Sequence, residues 1–147
     1  MLNQVLLGSV LVLLTSLVHA GGMIAAMRVL RTVHAERFNL ESNFIGAALT
    51  GGVVLMMFFV GLLESLIWAY TYLAVGAFSE LEPAFYFSTV TFTTLGFGDI
   101  TLNEAWRVLA TFEAANGIIM FGWTTALIFA FIQRLASHRK QAGKPGS

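Results

Sequence analysis

The sequence contains no cysteine. That absence excludes disulfides, thiolate metal sites and cysteine nucleophiles, and it leaves the redox compartment unreadable. Charge is scarce as well: Asp, Glu, Lys and Arg make up 11% of the 147 residues, against about 25% in an ordinary soluble domain. Eight basic and eight acidic residues cancel to zero formal charge, so no basic patch invites nucleic acid. Proline occurs only twice, and Asp99 is the sole aspartate. What is abundant is apolar, at 57% hydrophobic residues and a mean hydropathy of +0.79. A soluble domain of this length has too little interior to hide that surface, which excludes a soluble enzyme and a disordered chain alike. Lipid is the solvent for most of the chain.

A membrane-spanning helix needs about 20 apolar residues with few or no charges. Residues 2–27 carry no Lys, Arg, Asp or Glu; a second run covers 42–63 and continues apolar past Glu64 to Phe78; a third covers 114–133. Three spans are predicted, over 3–30, 43–75 and 103–135. Val18-His19-Ala20 resembles a signal-peptidase site, but the segment ahead of it has no Lys or Arg and the apolar run continues through Met27, which favours a retained helix. Arg28, Arg31 and Arg37 follow span one, and Arg134, Arg139, Lys140 and Lys144 follow span three. Three crossings put all of these on one side, with only Arg107 opposite, so the N-terminus is expected outside and the C-terminus in the cytoplasm. The chain then divides into an N-terminal helix (1–33), a cytoplasmic loop (34–42), a domain over 43–135 and a polar tail (136–147). Trp68, Tyr70, Tyr72 and Trp106 are expected to form an aromatic belt at the outer interface.

Residues 79–102 are too aromatic for a solvated loop and too short to cross. Pro83 suits the first turn of a helix, and Ser79 with Glu82 fits a capping box. Aromatics alternate with hydroxyls from Phe85 to Thr93, as a short re-entrant helix inside a protein shell requires. Thr94-Leu95-Gly96-Phe97-Gly98-Asp99 follows at once. Alternate glycines tolerate positive φ and let carbonyls face one side. Carbonyls aligned on one side can stand in for the hydration shell of a cation.

The stretch Phe85–Asp99 resembles the pore helix and T-x-G-[YF]-G-D selectivity filter of the potassium channel superfamily, most closely in two-pore-domain channels and small bacterial pore-only channels. With spans two and three as outer and inner helices, the resemblance covers roughly residues 43–135; the first span lies outside it. It implies an all-α membrane protein of three transmembrane helices, a re-entrant pore helix (81–93), a filter (94–99) and an inner helix (103–135), assembled as a homotetramer. It further implies K+ sites at the carbonyls of Thr94, Leu95, Gly96 and Phe97, followed by Gly98, with Asp99 at the filter mouth bonding to a pore helix. No cofactor is expected beyond K+ in the filter, and no partner beyond lipid and further copies of the chain. Leu95 stands where Val or Ile is usual, Phe97 replaces Tyr, and Val90 occupies a position where some channels carry a buried Glu.

The function expected is passive, potassium-selective conduction, not catalysis. Gly-Phe-Gly-Asp also matches the G-x-G-D of intramembrane aspartyl proteases, but that chemistry needs two aspartates and the chain has one. A non-selective cation pore is the rival within the channel class; known non-selective filters have lost the aromatic or the final Asp, and both remain here. A non-conducting scaffold or accessory subunit is the third reading. Span one is expected on the periphery against the outer helix, and no span carries the ladder of Arg that voltage sensing requires.

Gly117 and Gly122 are hinge candidates that serve equally well as close-packing sites. Ile119, Gly122, Ala126 and Ala130, with Asn116 and Thr124, are candidates to line the cavity; an interhelical hydrogen bond is the alternative for the polar pair. Trp123 is expected to pack, and His19 to be a hydrogen-bonded structural residue. Glu64 and Glu113 are carboxyls inside spans, which by default suggests function. Each lies eight or nine residues from an outer end, so both sit about 12–14 Å deep. Without a basic partner at that depth, they are expected to form a proton-sensitive pair that holds the pore helix; neutral hydrogen-bond donation to backbone is the alternative.

Overall fold

In the computed structural model, residues 1–35 and 43–142 are described, with side chains described for 1–29 and 44–133. Four helices follow in order: α1 (Leu2–Ala35), α2 (Asn43–Ala74), α3 (Leu81–Phe92) and α4 (Arg107–Ala142). No strand occurs among the described residues. Leu2–Val29, Phe44–Ala74 and Arg107–Gln133 are long and apolar enough to cross a membrane. The expected loop at 34–42 lies largely outside the described residues, as do 143–147 of the tail; α4 itself runs on past 135 to Ala142.

Neighbouring contacts fix the relative directions of the helices. His19 of α1 meets Glu64 of α2, and Gly22 meets Val60 three residues further along, so α1 and α2 are antiparallel. Gln4, Gly8, Thr15 and His19 meet Val108, Phe112, Asn116 and Thr124 of α4 in the same order, so α1 and α4 run parallel. Gln4, Gly8, Leu11, Thr15, His19 and Ala26 form one buried stripe of α1. The spacing of four and three residues is that of a single helix face. Span one therefore does more than lean on α2: it lies against α4 as well, with small and polar residues inward. Gly8 permits a close approach to α4, since a Cβ there would lie 2.7 Å from the Phe112 ring.

Trp68 and Tyr72 are fully buried, in a cluster with Leu11, Phe87, Phe92, Leu109 and Met120. This corrects the expected aromatic belt. The two rings sit one turn apart on the α2 face that receives α3, and Tyr72 meets Phe87 edge-on at 5.4 Å between centroids. Tyr70, on another side of α2, is exposed.

The element ends have local causes. Gly76, at φ 72°, follows α2 and gives its N–H to Leu73 O while Ala77 N–H reaches Tyr72 O; this paired closure is the Schellman motif, with glycine in the left-handed position. At the start of α3 the N-cap is Glu80, with no side-chain cap bond, so the expected Ser79–Glu82 capping box is not made. Pro83 is the third residue of α3 and costs nothing there, because first-turn amides have no helical partner. The fourth helix starts at Arg107 instead of Asn103. Asn103 heads a preceding turn, its Oδ1 accepting the Ala105 N–H and its carbonyl the N–H groups of Trp106 and Arg107.

Candidate functional site: the 94–99 segment and its support

The third helix ends by the same closure as α2, on a different residue. Thr94 N–H donates to Thr91 O at 2.9 Å and Leu95 N–H to Val90 O at 3.0 Å. The left-handed position is Thr94, at φ 61°. A β-branched side chain in that region is a genuine outlier, where glycine is the ordinary choice. Two residues on, Gly96 has φ 56°, and two further on, Gly98 has φ 77°. Positive φ thus recurs at every second residue, 94, 96 and 98. The glycine positions follow from the sequence; Thr94 joining their alternation does not. Strain of this kind persists only where the surroundings over-determine it, and it concentrates at functional sites.

The segment is irregular and exposed. Leu95 and Phe97 are 56% and 64% exposed, unlike apolar groups that have found their packing partners. Asp99 accepts a hydrogen bond from the Tyr86 hydroxyl of α3 at 2.8 Å, tying the end of the segment to the preceding helix of the same chain. That bond to a carboxylate holds the phenolic proton and pushes the Tyr86 pKa above its ordinary value. An open cavity of about 400 Å³ lies beside the segment, lined among others by Val90, Thr91, Ile100 and Arg107.

Behind α3 a buried polar network joins three helices. Ser88 Oγ donates to the Ser65 carbonyl of α2 at 2.6 Å and is also paired with Glu113 Oε1 of α4. Tyr72 OH of α2 donates to Glu113 Oε2 at 2.6 Å. Glu113, Ser88 and Tyr72 are all fully buried. Glu64, expected to meet Glu113, takes another partner: His19 Nδ1 of α1, 2.9 Å from its Oε1. Its Oε2 has no hydrogen-bond partner among the described residues. The expected carboxyl pair is therefore not made, and Glu64 does have a basic partner. The reason is that the buried stripe of α1 brings an imidazole to Glu64, while Glu113 faces α3 and is satisfied there.

The glycines of α4 separate into two kinds. A Cβ on Gly117 would fall 1.8 Å from the Phe92 carbonyl oxygen, so Gly117 is where the end of α3 lies directly on α4. Around Gly122 nothing lies within 4 Å of such an atom. Asn116 is fully buried and donates to Thr15 Oγ1 at 2.7 Å, and Thr124 pairs with His19 Nε2 at 3.2 Å. Both polar candidates for a cavity lining thus face α1. Ile119, Gly122, Ala126 and Ala130 remain exposed along α4, and Trp123 packs near His19 with ring centroids 6.1 Å apart.

A family model described as an ion channel matches residues 49–134, more than half of the chain. The chain belongs to this ion channel family. The matched stretch takes in nearly all of α2, all of α3, the 94–99 segment and most of α4; α1 lies outside it. No curated protein and no solved structure matches the chain. Three membrane-length helices in an ion channel make a multi-pass membrane protein. Sequence reasoning missed Tyr86 as the partner of Asp99, Ser88, Ser65 and Tyr72 in the network that joins three helices, and His19 as the partner of Glu64. Hydroxyls and rings on apolar helices carry no spacing signal that separates a network member from a lipid-facing residue.

Proposed function

We propose that this ion channel conducts K+ passively and selectively, as a homotetramer in the cell membrane, through a filter formed by residues 94–99 of each copy. The backbone of that segment carries the reading. Residues with positive φ at 94, 96 and 98 alternate with Leu95 and Phe97, whose φ is negative. Alternating handedness turns successive peptide planes the same way, so a row of carbonyls faces one side, as replacing a cation's hydration shell requires. The sites are the carbonyls of Thr94, Leu95, Gly96 and Phe97, then Gly98, with Asp99 held at the mouth by Tyr86. The third helix is the re-entrant pore helix, α2 the outer helix and α4 the inner helix.

Assembly of several copies is supported by what one copy leaves exposed, and four is the number that the resemblance to potassium channel filters implies. Leu95 and Phe97 are exposed beside an open cavity. Irregular backbone at membrane depth must be covered by protein or line water. The parallel α1 and α4 fit an N-terminus outside and a C-terminus in the cytoplasm, where Arg28 and the basic residues from Arg134 to Lys144, at the end of α4 and beyond it, belong. The chain performs no catalysis and needs no cofactor beyond the ions it passes.

The test is flux. Purified protein in K+-loaded liposomes discharges a K+ gradient much faster than a Na+ gradient, and crosslinking in detergent stops at four chains. Equal fluxes overturn selectivity in favour of a non-selective cation pore. No flux of either ion favours a scaffold.

A further inference from the structure

The first helix lies outside the matched family region, yet it holds α4 by side chains at three levels. Gln4 Oε1 accepts the N–H of Val108 at 3.1 Å, a first-turn amide with no partner in its own helix. Thr15 Oγ1 accepts from Asn116 at 2.7 Å, and His19 Nε2 pairs with the Thr124 hydroxyl at 3.2 Å. The α4 positions 108, 116 and 124 are evenly spaced, about 12 Å apart along the axis. The lowest level is braced from the far side. His19 Nδ1 is held by Glu64, so the imidazole bridges α2 and α4 through α1. The bridge survives either charge state of the ring. Neutral imidazole donates from Nδ1 and accepts the Thr124 hydroxyl at Nε2; imidazolium donates at both nitrogens.

Between the second and third levels lie Gly117 and Gly122. Gly117 is seated against the Phe92 carbonyl, and bending there must move α3. A Cβ at Gly122 would meet no neighbouring group within 4 Å, and glycine is a poor helix former, so α4 bends more cheaply at Gly122 than at Gly117. A bend at Gly122 carries Thr124 away from His19. The α4 helix is unbroken through this point, with the bond made.

We propose that α1 is a splint for α4: the His19–Thr124 bond, anchored on Glu64, opposes bending at Gly122, and the inner mouth of the pore widens only when that bond breaks. This rests on the channel reading for its link to conduction, but the mechanical claim stands on the helices alone.

The experiment compares wild type, Thr124→Val, Thr124→Ser and Thr15→Val, by single-channel recording in planar bilayers and by amide hydrogen exchange across residues 119–126 in detergent. Val keeps the shape of Thr and leaves the His19–Glu64 pair in place. Thr124→Val raises the open-to-closed ratio roughly two- to tenfold, the equilibrium worth of one hydrogen bond, and speeds exchange across 119–126 by a similar factor. Thr124→Ser, which keeps the hydroxyl, matches wild type. Thr15→Val removes the bond above Gly122 and strands the buried Asn116 amide, so it lowers thermal stability, while its exchange across 119–126 stays below that of Thr124→Val. K+-to-Na+ selectivity is the same in all four. An open-to-closed ratio that is unchanged or lowered in Thr124→Val overturns the splint, as does unchanged exchange. Should wild type pass no current, the channel reading fails and the exchange measurement alone decides the splint.

Discussion

The hydroxyl of Ser88 meets the carboxyl of Glu113, joining the short helix α3 to α4. The same hydroxyl reaches the Ser65 carbonyl, and the other carboxyl oxygen receives the Tyr72 hydroxyl. Three helices therefore converge on one buried acid. Ser88 has a single proton and two oxygen neighbours, so the network closes when Glu113 supplies the second proton as a neutral acid.

Glu113→Gln is accordingly the conservative change. Its amide donates to Ser88 and its oxygen accepts from Tyr72, so thermal stability in detergent stays within about 1 kcal/mol of wild type. Glu113→Ala strands both hydroxyls and opens a cavity, at a cost of about 2–5 kcal/mol. Thermal unfolding of the assembled protein checks the pair; equal losses in Gln and Ala contradict the neutral-acid arrangement.

The proposed filter predicts that Gly96→Ala abolishes K+ flux while assembly persists. The reason is conformational, not steric: nothing lies within 4 Å of an added Cβ, but φ is 56°. A side chain in that region costs roughly 1–2 kcal/mol per residue, multiplied by the number of copies around the pore. Flux assays beside size-exclusion profiles separate loss of conduction from loss of assembly.

Gly117 and Gly122 respond differently to alanine. At Gly117 the added carbon meets the Phe92 carbonyl oxygen, so α3 or α4 must shift, and stability falls by roughly 3 kcal/mol or more. At Gly122 the site is open, and alanine strengthens the helix by about 0.5–1 kcal/mol. Melting temperatures of the two variants move in opposite directions.

The His19–Glu64 pair is buried on both sides, at 2% and 0% exposure. Removing one partner strands the other, so His19→Leu and Glu64→Leu each cost about 3–5 kcal/mol. Replacing both by Leu costs clearly less than the sum of the singles, because no stranded polar group remains. A double-mutant cycle on unfolding free energy measures the coupling.

Three membrane-length helices, a short helix between the second and third, and a glycine-alternating segment ending in Asp99 were legible in the sequence by itself. Each depends on local pattern: twenty apolar residues find lipid whatever their neighbours, and alternate glycines permit positive φ wherever they occur. Tertiary structure alone decided which face of each helix turns inward. Lipid tails are as apolar as a protein core, so burial leaves no hydrophobic period on a spanning helix. Trp68 and Tyr72 therefore look like interface anchors until α3 covers them. Thr15 and His19 are scattered polar residues until the stripe on α1 brings them to Asn116, Glu64 and Thr124. Counting residues puts Glu64 and Glu113 at one depth, but the structure gives them different partners, and depth was all that counting supplied. Thr94 takes the left-handed conformation against its own preference because two hydrogen bonds at the end of α3 hold it there; that closure depends on how the whole turn is packed, which no single residue encodes.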